Sequence, residues 1–149
     1  MSTEGTQPGT GAGAGAGADL FCEIIAGRRP ATVVASDEVA VSILDIRPVF
    51  KGHVLVVPRV HVETLADLAD VGPFFERVRA MARAVEEGLQ AGGTFVALNN
   101  RVSQSVPHLH VHVVPRNRKD GLRGFFWPRT TYASAEEAQS YADLIAKAL

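Results

Sequence analysis

From Pro107 to Arg116 the chain reads Pro-His-Leu-His-Val-His-Val-Val-Pro-Arg, with imidazole and aliphatic side chains in strict alternation. A period of two is that of a β-strand, whose successive side chains leave on opposite faces. A strand from Pro107 to Val114 lines His108, His110 and His112 along one face, about 6.5–7 Å apart, and sends Leu109, Val111 and Val113 into a core. Each buried imidazole needs partners for two ring nitrogens, and packing alone gives no reason to bear that cost three times. The row is therefore read as a functional site.

The rest of the fold is read from where the period changes. Thr32 to Ala35, Val39 to Leu44, His53 to Val57 and Thr94 to Leu98 have strand character. Ser36-Asp37-Glu38 separates the first two at hairpin spacing, and Pro58 stops the third. Over residues 73–90 the apolar positions Phe74, Val78, Met81, Ala82, Val85 and Leu89 recur at helical spacing, ended by Gly92-Gly93. A last helix, Ala135 to Leu149, opens on Ser134 as N-cap with Glu137 in the capping-box position. The fold class expected is α+β: a five-stranded antiparallel sheet, one long helix and a C-terminal helix.

Residues 1–18 are Gly/Ala-rich and hold no large apolar side chain after Met1, so they cannot offset their ordering entropy of ~1–2 kcal/mol per residue. They read as a disordered tail, with the folded domain over 19–149. The 149 residues carry a formal net charge of -1, which argues against a generic nucleic-acid binder. The single cysteine, Cys22, fits a reducing compartment. No apolar run is long enough to span a membrane. With no basic residue before Arg28, neither a secretory nor a mitochondrial presequence fits, and a cytoplasmic location is expected.

Three aligned imidazoles can hold a zinc ion with one open position, or one of them can act as a nucleophile oriented by its neighbours. The preceding loop, Asn99-Asn-Arg-Val-Ser-Gln-Ser105, offers amides, hydroxyls and a guanidinium, which suit phosphate oxygens better than a metal shell. Gln104 to Arg116 closely resembles the His-x-His-x-His signature of the histidine triad superfamily of nucleotidyl hydrolases and transferases. The stretches 21–27, 42–48 and 51–61, including Gly52-His53-Val-Leu, are similar to its N-terminal half in order and spacing. The resemblance covers about residues 19–116, and the residues after Arg116 read as a C-terminal extension.

The resemblance implies a homodimer with a shared antiparallel sheet, acting on a purine nucleotide or dinucleotide. Carried over by motif, His110 attacks the α-phosphorus, and His112 and His53 contact the phosphate or orient His110. Asp45 accepts from the ribose hydroxyls; Asn99, Gln104 and Ser105 hold the α-phosphate and leaving group; His108, counted with the nucleotide-binding residues, fixes the local strand through hydrogen bonds. The expected reaction cleaves diadenosine polyphosphates or nucleoside phosphoramidates through a covalent nucleotidyl-histidine, with no cofactor required. A non-catalytic adenine-nucleotide-binding module and a zinc-dependent hydrolase are the alternatives. Some bacterial members hold a structural zinc through Cys-x-x-Cys and two histidines; here the corresponding set is Asp19, Cys22, His61 and His108, with Asp19 at the first cysteine position.

Two further features stand outside that pattern. Arg101, Arg116, Arg118, Lys119, Arg123 and Arg129 form a basic stretch relieved only by Asp120, which steers anionic substrate or stays a solvated face. The aromatics after Gly124, in Phe-Phe-Trp-Pro-Arg129, read as interface or core anchors rather than a base clamp.

Overall fold

Residues 33–58 set up the sheet by alternating side chains between its two faces. The structure is a computed structural model that describes residues 18–122 and 129–149. The chain divides into two units, residues up to Arg118 and Lys119–Leu149. In the first, β1 (Val33–Ser36), β2 (Ala40–Leu44), β3 (Val54–Pro58), β4 (Gly93–Ala97) and β5 (Val111–Arg116) form one antiparallel sheet in the order β1-β2-β3-β5-β4. Alternation sorts its core. Val54, Val56, Val111 and Val113 face the long helix α2 (Val71–Leu89), which returns Phe74, Val78, Met81 and Val85. Val41, Ile43, Leu55 and Val57 take the opposite face and pack around Phe21 of a short helix, α1 (Leu20–Ile25). Burying each aliphatic side chain is worth about 1.5–3 kcal/mol, so both faces contribute to stability.

The expected fold class is what the structure has, with corrections at the element ends. The fifth strand starts at Val111, not Pro107, because the backbone before it is engaged elsewhere: His108 N–H bonds Val106 O, and Leu109 N–H bonds Val62 O at 2.7 Å. The third strand includes Pro58, which pairs opposite Ala40. The long helix ends on Gln90, which takes the left-handed conformation at φ 52° in place of a glycine. α1 and the 3₁₀ turn Leu65–Asp67 are additions to the sequence reading. In the second unit, α3 runs Ala135–Ala146, and the Ser134 side chain accepts from Glu137 N–H as expected. Among the described residues no helix is long and apolar enough to cross a membrane. Most of the expected tail and of the aromatic segment lies outside the described residues.

Candidate active site

β3 and β5 run antiparallel with Leu55 opposite His112, which makes His53 the diagonal neighbour of His112 on the α1 face. The two rings meet through His53 Nε2 and His112 Nδ1, 2.9 Å apart. The direction of that bond is set by the next group along. Val49 N–H donates to His53 Nδ1 at 3.1 Å, so this nitrogen holds the lone pair and the neutral ring's proton sits on Nε2. His53 therefore donates to His112, whose own proton sits on Nε2. The same logic fixes His110: its Nδ1 lies 2.7 Å from the His108 carbonyl oxygen, which can only accept. The Nδ1 proton is committed there, and the free electron pair is on Nε2.

Burial keeps the supporting rings neutral. His53 is 3% exposed; its pKa is pushed below the usual imidazole value by desolvation, with Asp45 opposing. His112 is pushed down to about 4, mainly by burial and further by the neighbouring His110 and His53. At pH 7 it is a neutral N–H donor.

His110 and His112 border a cleft of about 450 Å³ on the α1 face, while His53 stays behind His112 and does not line it. Its polar lining includes Asp45, Ser105, His110 and His112, and its apolar wall includes Leu20, Phe21, Ile24, Ile43 and Ile46. The Phe21 ring stands edge-on to His110 with centroids 5.0 Å apart, and His110 and His112 are 5.1 Å apart. Asp45 Oδ1 accepts from Arg47 N–H at 2.8 Å, closing a turn, while Oδ2 lies 3.7 Å from His53 Nε2. One carboxylate thus caps the turn and still lines the cleft. An apolar slot, a carboxylate and an unprotonated imidazole nitrogen in one concavity suit a planar base, a sugar hydroxyl and an electrophilic centre.

Not every expected residue reaches this cleft. His108 is fully buried with Nε2 donating to Pro58 O at 2.9 Å, so it contributes its carbonyl, not its ring. Gln104 spans the loop, accepting from Arg101 N–H and donating to Glu63 O. Asn99 donates to Ser103 O, and Asn100 accepts from Leu65 N–H. Asn99 and Gln104 shape a loop in which Arg101 and Ser103 take positive φ, and neither is among the lining residues. Sequence reasoning missed Phe21, Arg29 and Arg47, which do line the cleft. The helical spacing of Leu20, Phe21, Ile24 and Ile25 behind Asp19 was the available signal for the first.

A second cluster lies behind His108. Ligand atoms of Asp19, Cys22, His61 and His108 all fall within 4.8 Å of one another. His61 Nδ1 is 3.3 Å from Cys22 Sγ and 2.9 Å from Asp19 Oδ2. With its Nε2 proton given to Pro58 O, His108 turns an unprotonated Nδ1 toward Asp19 Oδ2 and Cys22 Sγ, at 3.3 and 3.6 Å. Asp19 Oδ2 is buried and has no hydrogen-bond partner among the described residues, as a ligand oxygen would be. One sulfur, one oxygen and two imidazole nitrogens fit zinc. Asp45, His53 and His112 also fall within 4.8 Å of one another, but there the His53–His112 hydrogen bond already occupies two of the nitrogens.

A family model described as HIT domain matches residues 26–119. The crystal structure of a member of the HIT family from Bacillus subtilis superposes with a TM-score of 0.78 at 36% identity, over 88% of this chain and 96% of that one. A zinc-bound histidine triad family protein from Mycobacterium smegmatis is similar at TM-score 0.65 and 34% identity, over 86% and 96% of the two chains. The adenosine 5′-monophosphoramidase of Schizosaccharomyces pombe is 30% identical over 111 residues, 73% of this chain and 82% of its own length.

Proposed function

The chain belongs to the HIT domain family, and from that premise we propose that it is a nucleotidyl hydrolase or transferase working through a covalent nucleotidyl-His110. The observation that carries the proposal is the His108 carbonyl holding the Nδ1 proton of His110, which leaves Nε2 as the free nucleophile beside a nucleoside-sized cleft. In the first step Nε2 forms a bond to the α-phosphorus while the bond from phosphorus to the leaving group breaks. The departing amine of a phosphoramidate takes a proton from solvent. In the second step water or another acceptor bonds to phosphorus and gives its proton to solvent, while the nitrogen–phosphorus bond breaks and returns the lone pair to His110. Charge on the equatorial oxygens would be met by two donors among the cleft-lining residues, His112 Nε2–H and the Ser105 hydroxyl. His53 keeps His112 turned the right way.

Nucleoside phosphoramidates are the substrate class favoured, on the similarity to the fission-yeast phosphoramidase; dinucleoside polyphosphates share the same α-phosphate chemistry. Asp45 is assigned to the ribose and the apolar wall to a purine. The reading also includes a cytoplasmic homodimer and a structural zinc held by Asp19, Cys22, His61 and His108. Zinc there supplies a cross-link between α1, the segment after β3 and the histidine run, and no reaction step passes through it.

The test is mass spectrometry of protein quenched during turnover of an adenosine 5′-phosphoramidate. A nucleotidyl adduct on His110 is expected, with turnover down by about 10³-fold or more in His110→Ala. Wild-type rates in that variant would remove the covalent step and leave a metal-dependent or non-catalytic role.

A further inference from the structure

We infer that Asp19 is a positioning residue that couples metal loading at the second cluster to the shape of the catalytic cleft. Its two carboxylate oxygens serve two different structures. Oδ1 accepts from Cys22 N–H at 2.9 Å and closes the first turn of α1. Oδ2 faces the ligand nitrogens of His61 and His108 at 2.9 and 3.3 Å. The side chain is 8% exposed, so its negative charge is held out of water with Oδ2 lacking a hydrogen-bond partner among the described residues. A divalent transition cation among these atoms balances that charge and fixes the carboxylate, and with it the helix cap.

Two paths run from this centre to the nucleophile. The first is α1. At six residues it is too short to persist by itself, so its order depends on its cap and on burial of Phe21. Phe21 packs edge-on against both His108 and His110, and Leu20 and Ile24 of the same helix wall the cleft. The second is His108, whose ring belongs to the metal cluster and whose carbonyl holds His110 Nδ1 at 2.7 Å. Loading therefore acts on nucleoside binding through α1 and on the placement of the His110 ring through His108. Without metal the catalytic groups all remain, but the wall they work against loosens.

The kinetic arm of this inference rests on the covalent reading, while the structural arm does not. Full-length protein is compared with zinc sulfate and with a chelator by hydrogen exchange of residues 19–27 and by steady-state turnover of an adenosine 5′-phosphoramidate. Zinc is expected to slow exchange in α1 by about tenfold or more and to lower KM, with a separate rise in kcat. Asp19→Asn keeps an oxygen for the cap but gives up the anionic ligand. It is expected to weaken zinc binding by about 10–100-fold and to hold exchange and KM near the chelated wild-type values. Identical exchange in α1 with and without bound zinc overturns the inference, as does a zinc response that survives intact in Asp19→Asn. If no form turns over the substrate, the covalent reading fails, and the exchange data still decide the coupling.

Discussion

The Nδ1 proton of His110 is given to a backbone carbonyl, whereas the Nδ1 lone pair of His112 is filled by another imidazole. Two neighbouring residues of one type thus present opposite faces, a free Nε2 lone pair on His110 and an Nε2–H on His112, from hydrogen bonds alone, and the proposed mechanism uses them as nucleophile and donor. Asp45 divides its work in the same way, and this separates its functions by experiment. Asp45→Ala is expected to raise KM for a ribonucleoside substrate by about tenfold, the scale of one hydrogen bond to a charged acceptor. The 2′,3′-dideoxy analogue should be almost unaffected; an equal rise for both would reduce Asp45 to its turn with Arg47. The neutral histidines also set an acid limit. His112 titrates at about 4 in the folded chain against an unperturbed value of 6.5, so between these pH values the unfolded state binds more protons. Stability from this residue is thus complete above pH 6.5 and lost as the pH falls toward 4, by roughly 1–3 kcal/mol. The lowered values of His53 and His108 act in the same direction. Urea midpoints measured from pH 7.5 to 4.5 should decline, and less steeply in His112→Asn; parallel declines would assign the effect elsewhere.

At the scale of elements, the site is held by a few turns that admit little substitution. Gly52 sits at φ +96° before His53, and a Cβ built there would meet Leu89 Cδ1 at 2.2 Å. Gly52→Ala should therefore cost about 1–3 kcal/mol, and pairing it with Leu89→Ala should recover only the steric part, because the backbone strain remains. Denaturation midpoints of the two variants check this; full recovery would mean the φ carries no cost. Elements like these differ in how far the sequence announces them. β2, β3 and α2 were legible because buried aliphatic residues repeat with the period of each element. The alternation at 108–113 correctly sends Leu109, Val111 and Val113 to one core. It could not say that only His112 of the three histidines lies within the strand, because that depends on Val62 O capturing Leu109 N–H. α1 escaped notice because six residues carry too little periodicity, and its cap, Asp19, reads equally well as a metal ligand. Asn99 and Gln104 were the right residue types for phosphate but are spent on loop carbonyls and N–H groups, partners that no local pattern reveals.

For the whole molecule, the proposed homodimer needs a surface, and the sheet has two edges, β1 and β4. β1 is four residues long and its register shifts between Val33 and Ala35, an irregularity of the kind that discourages pairing with another chain. β4 pairs without interruption at five successive positions, from Gly93 opposite Arg116 to Ala97 opposite His112, and leaves Val96 42% exposed. An edge strand with unbroken register is the better template for extending a sheet across a two-fold axis. It also pairs with the strand that bears His112, so a partner added at β4 would stiffen the catalytic strand from the side away from β3. Val96→Lys places a charge on that edge and should convert the dimer to monomer in sedimentation velocity, with strand content by circular dichroism retained. The monomer should still form the His110 adduct, since every catalytic group of the proposed mechanism comes from one chain, but with a lower rate because β5 is less confined. A variant that sediments as a dimer would move the interface away from β4.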